Sequence, residues 1–278
     1  MFGMLPVFLQ QKNETMLLFP PSEIQIDQNK VDEVDAILKS TFRLIAFSRD
    51  HLADDLLNAY LDSTHDLQEL MSIKNAQMEA QNDEEAELYL KNLNKTLLTV
   101  TDEIKSQHNF DSVTQLFQLF RSISPESHSN HPNGFRTTHV QIGRYICPEP
   151  QEVESLVHQL FDVMKEIEIP VIRAIYFHHE LIRIHPFSDG NGRTTRVAKN
   201  WMLMYNLYPP IFIRDNQEKK QYLESLGKSF SELEVKPFDW NEHLARFFDQ
   251  ELDRLLSNAK TVLLAVQELG HSRQIIKE

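Results

Sequence analysis

The chain is 278 residues long, 41% hydrophobic and 25% charged, with a formal net charge of -13. That is the make-up of a globular protein with one large domain, or of a catalytic domain with a helical extension. So acidic a chain is poorly suited to the nucleic-acid backbone, whose phosphates attract basic faces, and no nucleic-acid partner is expected. A single cysteine, Cys147, rules out an intramolecular disulfide and points to a reducing compartment.

The opening MFGMLPVFLQQK is apolar but lacks a basic start and a small-residue cleavage site. It is a poor signal peptide, and residues 1–9 are expected to pack against the body of the fold. No run approaches the roughly 18 apolar residues that a membrane helix needs. The expectation is a cytoplasmic protein with no membrane partner, delivery into another cell being left open. Seven glycines in all, and long stretches free of Pro and Gly, favour helix. Residues 31–106 read as several amphipathic helices, with Ala36, Ile37, Phe42, Leu44 and Ile45 at helical spacing, then Leu52, Leu56, Leu57 and Tyr60. A polar break over 81–85 precedes the renewed pattern of 88–104. A Ser/Pro/His/Asn-rich loop over 122–134 marks a boundary, and the chain is divided into a helical extension, 1–110, and a catalytic domain, 111–278. FRTTHVQIGRY, 135–145, carries a strand or hairpin signal. Helices are expected over 152–167, 171–184, 193–206 and 243–269, with Gly270 as the last one's cap. The fold class is therefore mainly α with a short β-hairpin.

The chemistry concentrates in HPFSDGNGRTTR, 185–196. Gly190, Asn191 and Gly192 sit between two helices, and glycines let successive N–H groups aim into one concavity that suits an anion. The next helix starts near Gly192 or Arg193, so its positive end faces the same spot. Arg193 and Arg196, three apart, are neighbours able to fork onto phosphate oxygens. Asp189 offers a hard oxygen for Mg²⁺, which commonly binds one or two carboxylates plus substrate phosphates. His185 is the group there that can take a proton near neutral pH. Taken singly, a histidine at a helix end, a Gly-Asn-Gly turn and an arginine pair are usually structural. Twelve contiguous residues filling every role describe a Mg²⁺-nucleotide transferase site.

This segment resembles the signature of the Fic family, His-x-Phe-x-Asp/Glu-Gly-Asn-Gly-Arg-x-x-Arg, at every defined position. The likeness extends to 169–187 and 197–213 as the flanking helices and to 133–150 as the family's hairpin, and covers about 111–248. It implies a Fic-type helical bundle with a hairpin flap over the active-site loop. It also implies a protein adenylyltransferase, moving AMP from ATP to a Ser, Thr or Tyr hydroxyl of another protein.

Carried onto this sequence, the resemblance makes His185 the general base and Asp189 the Mg²⁺ ligand. Asn191 and the amides of Gly190 and Gly192 would hold the α-phosphate. Arg193 would grip the β- and γ-phosphates with Arg196 at the γ end, and Phe187 would anchor the loop from below. Thr137, Thr138, His139, Val140, Gln141 and Ile142 would clamp an extended segment of the target by strand pairing. Tyr222 stands where the family has a tyrosine near adenine, while Lys228 and Ser229 occupy the stretch where an asparagine is common. The family's inhibitory helix, Ser/Thr-x-x-x-Glu-Gly/Asn, has no clean copy: Thr99 to Glu103 has the spacing but Ile104 follows, and the 63–69 region has the wrong spacing. Either such inhibition is missing or the motif is degenerate.

Alternatives are a Fic enzyme with another activity or donor, removal of AMP among them, and a non-catalytic nucleotide-binding regulator. The intact Gly-Asn-Gly argues against a kinase-like variant, the missing inhibitory glutamate against AMP removal, and His185 against a mere binding role. A metal site of His178, His179 and His185 is disfavoured because adjacent helical residues face different sides. A homo-oligomer is left open.

Overall fold

The structure, a computed structural model, describes residues 17–48, 51–130 and 134–275; the expected packing of residues 1–9 falls outside them. Helices dominate. Asp27 accepts from the Asn29 N–H and starts α1, Gln28–Ala46, and α2 follows at His51–Glu79. The polar break is a three-residue junction in which Asn82 accepts from the Glu85 N–H and starts α3, Asp83–Lys105. Asp83, Glu84 and Glu85 then line its first turn, where the helix dipole favours acids. Ser112 and Gln115 cap α4, Val113–Ile123, reciprocally.

The loop expected over 122–134 is partly helical: α4 runs to Ile123 and a short α5 covers Pro125–Asn130, with Pro at the position that loses no helical bond. The hairpin is smaller than expected. Antiparallel β1, Gln141–Ile142, and β2, Tyr145–Ile146, pair Gln141 with Ile146 and Ile142 with Tyr145 around Gly143 at φ 62°. Thr137 to Val140 lie before β1, outside any strand. Then come α6, Pro150–Val163, α7, Pro170–Ile184, and α8, Asn191–Tyr205. Helix α9, Asn216–Val235, was not among the expected elements; its apolar face is interrupted by surface Lys and Glu. Helix α10 covers Glu242–Ile275 and passes through Gly270 instead of stopping there. A Cβ at Gly270 would meet only Leu56 at 3.7 Å, so this glycine serves neither a turn nor a close approach.

The centre is the α7–α8 pair. Every residue from Ala174 to Ile184 is buried, and so is every one from Arg193 to Met204. A helix buried all round belongs to the core of the fold. Helices α4 and α6 lie against this pair, α9 meets it through Tyr222 and Ser229 and α10 through Glu251, and α1 and α2 pack along α10. The charged side chains on the pair are matched by carboxylates. Lys199 bonds Glu251 of α10, Arg254 donates to the same carboxylate at 2.7 Å, and His178 Nδ1 lies 3.6 Å from it. Lone buried charges would be prohibitive, and pairing is what keeps two charged helices in contact. The loop between α7 and α8 therefore hangs from two buried rods.

Candidate active site

Helix α7 ends at His185, whose backbone is left-handed, φ 53° and ψ 61°. The chain returns at Gly190, also left-handed at φ 74°, from which α8 starts. A Cβ on Gly190 would lie 2.1 Å from Ser124 Oγ, so this position needs both the conformation and the missing atom. Between them Phe187 is buried, stacked on Phe120 at 3.8 Å and flanked by Phe117 and Phe135. Burying such a ring contributes about 1.5–3 kcal/mol, and here it pins the loop from beneath. Asn191 closes the loop on itself: its Oδ1 accepts from the Phe187 N–H at 2.9 Å and its Nδ2 donates to the Phe187 carbonyl at 2.8 Å. The side chain expected on the α-phosphate is thus engaged as a loop staple, which leaves anion contact to the backbone N–H groups of α8's first turn.

Both signature arginines are buried and converge on one carboxylate, Glu79, the last residue of α2. Arg196 donates to Glu79 Oε1 at 2.6 Å and to Asn75 Oδ1 at 2.8 Å, and Arg193 donates to Glu79 Oε2 at 3.2 Å. A Cβ at Gly192 would lie 2.0 Å from Glu79 Oε1, so the carboxylate sits directly on the α8 N-terminus. Arg193 also reaches Asp189 at 3.3 Å and Glu126 at 3.4 Å, and its guanidinium lies 3.5 Å from the Tyr89 ring centre. Tyr89 is itself held by Glu85 at 2.7 Å.

Burial pushes the His185 imidazole down to about 4, with the Arg136 charge adding to the effect. Glu79, Asp189 and the Ile182 carbonyl pull the other way without prevailing. The ring is therefore neutral at pH 7, the state a proton acceptor needs. Asp189 is 61% exposed, with Ser127 donating to it at 3.3 Å. One exposed carboxylate fits Mg²⁺ only if phosphates and water complete the shell, which is how that ion commonly binds. No three His, Cys, Asp or Glu side chains among the described residues form a metal cluster. The histidine trio does not converge. His178 Nε2 meets the Tyr222 hydroxyl at 2.9 Å, and His179 lies between Glu180 at 2.7 Å and Ser229 at 2.9 Å.

Tyr222 is buried between His178 and Arg196, behind the arginine instead of on an open base pocket. Its place on α9 packs the ring inward. Thr137, Thr138, His139 and Gln141 are exposed, with Val140 and Ile142 half-buried, along an edge that no strand covers among the described residues.

The sequence reading missed Glu79, Asn75, Tyr89, Ser127 and Arg136. For Glu79 a signal existed: Asn75-x-x-x-Glu79-Ala80 has the inhibitory spacing, with Asn for Ser/Thr and Ala for Gly/Asn. Glu103, in the other segment with that spacing, pairs instead with His108 at 2.7 Å. The motif is degenerate, and its carboxylate is in place.

Residues 103–203 match the Fic/DOC family, so that stretch, which holds α7, the loop and nearly all of α8, is a Fic domain. Among particular relatives, the chain is similar to a protein adenylyltransferase Fic of Nematostella vectensis, 29% identical over 188 residues that are 66% of this chain and 40% of that protein. A protein of the same name from Culex quinquefasciatus is 30% identical over 186 residues, 66% of this chain and 34% of its own length. The chain spans less than half the length of these curated relatives. In fold it is similar to a Fic-domain-containing signaling protein from Bacteroides thetaiotaomicron, with TM-score 0.65 at 18% identity over 85% of this chain and 97% of that one. Fic-1 of Caenorhabditis elegans gives 0.60 at 16% identity, over 86% and 72%. No helix among the described residues is long and apolar enough to cross a membrane.

Proposed function

We propose that this chain is a protein adenylyltransferase that moves AMP from ATP to a hydroxyl of a target protein. The observation that carries the reading is an anion already seated at the site. The Glu79 carboxylate lies on the N-terminus of α8 between Arg193 and Arg196, with the neutral imidazole of His185 on the same loop. Phosphate oxygens make the same demands on guanidinium forks and backbone N–H groups as a carboxylate does.

In this reading the target hydroxyl gives its proton to His185 and attacks the α-phosphorus, and pyrophosphate leaves. The amides at the start of α8 take the charge that grows on the α-phosphoryl oxygens. Arg193 and Arg196 hold the β- and γ-phosphates. Asp189 would hold Mg²⁺, which when bound neutralises phosphate charge. The open edge from Thr137 to Ile142 would take an extended target segment by backbone pairing. Because Glu79 occupies the arginines that phosphate needs, it would act as a brake that has to swing out before ATP is held productively.

The same carboxylate favours a second reading, hydrolytic removal of AMP, since a glutamate beside the phosphate site can orient water. The glutamate that this activity needs, which no clean motif marks in the sequence, is present as Glu79. The test uses ATP labelled at the α or the γ position, with Mg²⁺ and cell lysate. The wild-type chain, Glu79→Ala, His185→Ala and the double variant are compared. The expected result is α-label on protein, more than tenfold stronger in Glu79→Ala and lost in both His185→Ala chains. Label from the γ position would make it a kinase. Release of AMP from pre-labelled protein by the wild-type chain, lost in Glu79→Ala, would favour removal.

A further inference from the structure

Arg136 is outside the signature and has no assigned task, yet it is 1% exposed. Its Nε donates to the His185 carbonyl at 2.7 Å, Nη1 to the Thr138 carbonyl at 2.8 Å, and Nη2 to the carbonyls of Pro148 at 2.6 Å and Ile184 at 3.3 Å. Its backbone N–H donates to the Pro186 carbonyl at 2.9 Å. One residue thus joins both ends of the hairpin, Thr138 before β1 and Pro148 after β2, to three successive residues where α7 becomes the active-site loop.

Two features go beyond ordinary stitching. The carbonyls of Ile184 and His185 are among those a helix leaves without partners at its C-terminus, the negative end of its dipole, which explains how a buried cation is tolerated on carbonyls. His185 is also a non-glycine residue in the left-handed region, a conformation that costs of order 1–3 kcal/mol and persists only where neighbours impose it. Arg136 grips the carbonyl of that very residue. A planar fork reaches four carbonyls at once, and a lysine ammonium on one stem does not.

We propose that Arg136 is a positioning residue that couples the hairpin to the His185 backbone, so that seating of a target strand and presentation of the imidazole are set by one side chain. This rests on the adenylyltransferase reading. The charged and titratable groups facing His185 are Arg136, Glu79 and Asp189, and those facing Arg136 include Tyr145, Cys147 and Glu149. Of these groups Arg136 is the cation, and its charge adds to burial in keeping the imidazole unprotonated.

The test compares Arg136→Lys and Arg136→Met in the full chain, both in a Glu79→Ala background. Amide exchange over residues 137–147 and the His185 titration by NMR are read alongside α-label transfer. Both variants should bind ATP within twofold of the parent, because the arginine pair is untouched. Both should lose about 100-fold in kcat, the scale expected for an ångström of misplacement, with faster exchange in the hairpin. The His185 titration should move up in Arg136→Met and stay near the parent's in Arg136→Lys, a separation that a purely structural role does not produce. Parent-like kcat, or unchanged exchange and titration in both folded variants, overturns the proposal. If Arg136→Met fails to fold, exchange and kcat in Arg136→Lys decide it. If the Glu79→Ala parent itself transfers no α-label, the adenylyltransferase reading fails, while exchange and titration still decide whether hairpin and imidazole are coupled.

Discussion

The two regions that meet at the site are built in opposite ways. Helices α7 and α8 are buried, their signature arginines 1% and 2% exposed, and their buried charges are paired with carboxylates. The end of α2 is a helix terminus whose Glu79 is 27% exposed and is held by the arginines it covers, with Lys219 of α9 donating to the neighbouring Met78 carbonyl. The buried cationic cradle and the carboxylate that plugs it have different physical requirements. The cradle must hold buried charges at low reorganisation cost. On the proposed reading the plug competes with ATP, and at 27% exposure its carboxylate is within reach of water.

The comparison is broken most severely from inside the cradle. Glu251→Ala would leave Lys199 buried without its carboxylate, an error that costs about 3–5 kcal/mol; thermal unfolding should show a large drop in midpoint. A drop no bigger than that of an exposed variant such as Glu224→Ala would mean that the rods are not held by this network. Next comes the plug. Glu79→Ala should tighten ATP by about ten- to a hundredfold in calorimetry, at 1.4 kcal/mol per tenfold. Glu79→Gln, which keeps an acceptor but loses the charge, should fall between the two. Unchanged affinity would mean that the carboxylate does not compete with phosphate.

Acid should act on the cradle through its buried rings. His178 is pushed down to about 3 and His185 to about 4, with His179 also lowered, all by burial first. Below their ordinary value near 6.5 the unfolded chain takes up protons that the folded chain refuses, so stability should fall as pH drops from 6.5 towards 4. Glu180, which burial pushes up but Arg183 and His179 hold down to about 2, acts in the same direction at lower pH: its contribution is present above about 4.5 and is lost as pH falls towards 2. Denaturant midpoints at pH 7, 5.5 and 4.5 check this, and a flat profile would contradict the burial of these rings. The smallest expected effect is Tyr89→Leu, which removes a face from Arg193 and should weaken ATP by about 0.5–2 kcal/mol in the Glu79→Ala background. No change there would reduce Tyr89 to packing.

The sequence by itself determined the mainly helical fold, the hairpin and the contiguous stretch from His185 to Arg196, because each rests on local rules: apolar periodicity, glycine freedom, and neighbours three apart on a helix. It placed α7 and α8 closely because proline starts one of them and the glycines open the other. It missed α9, whose apolar stripe is broken by charges, and it ended α10 at Gly270 because a helix can carry a glycine that nothing local forces it to stop at. The use of Asn191 as a staple, the inward turn of Tyr222, and the arrival of Glu79 and Arg136 were decided by tertiary structure. Glu79 stands 114 residues before Arg193 and Arg136 stands 49 before His185. A carboxylate or guanidinium that far away becomes part of a site only when packing of whole helices brings it there; the degenerate Asn75-x-x-x-Glu79 spacing hinted at the carboxylate, and no spacing rule marks Arg136.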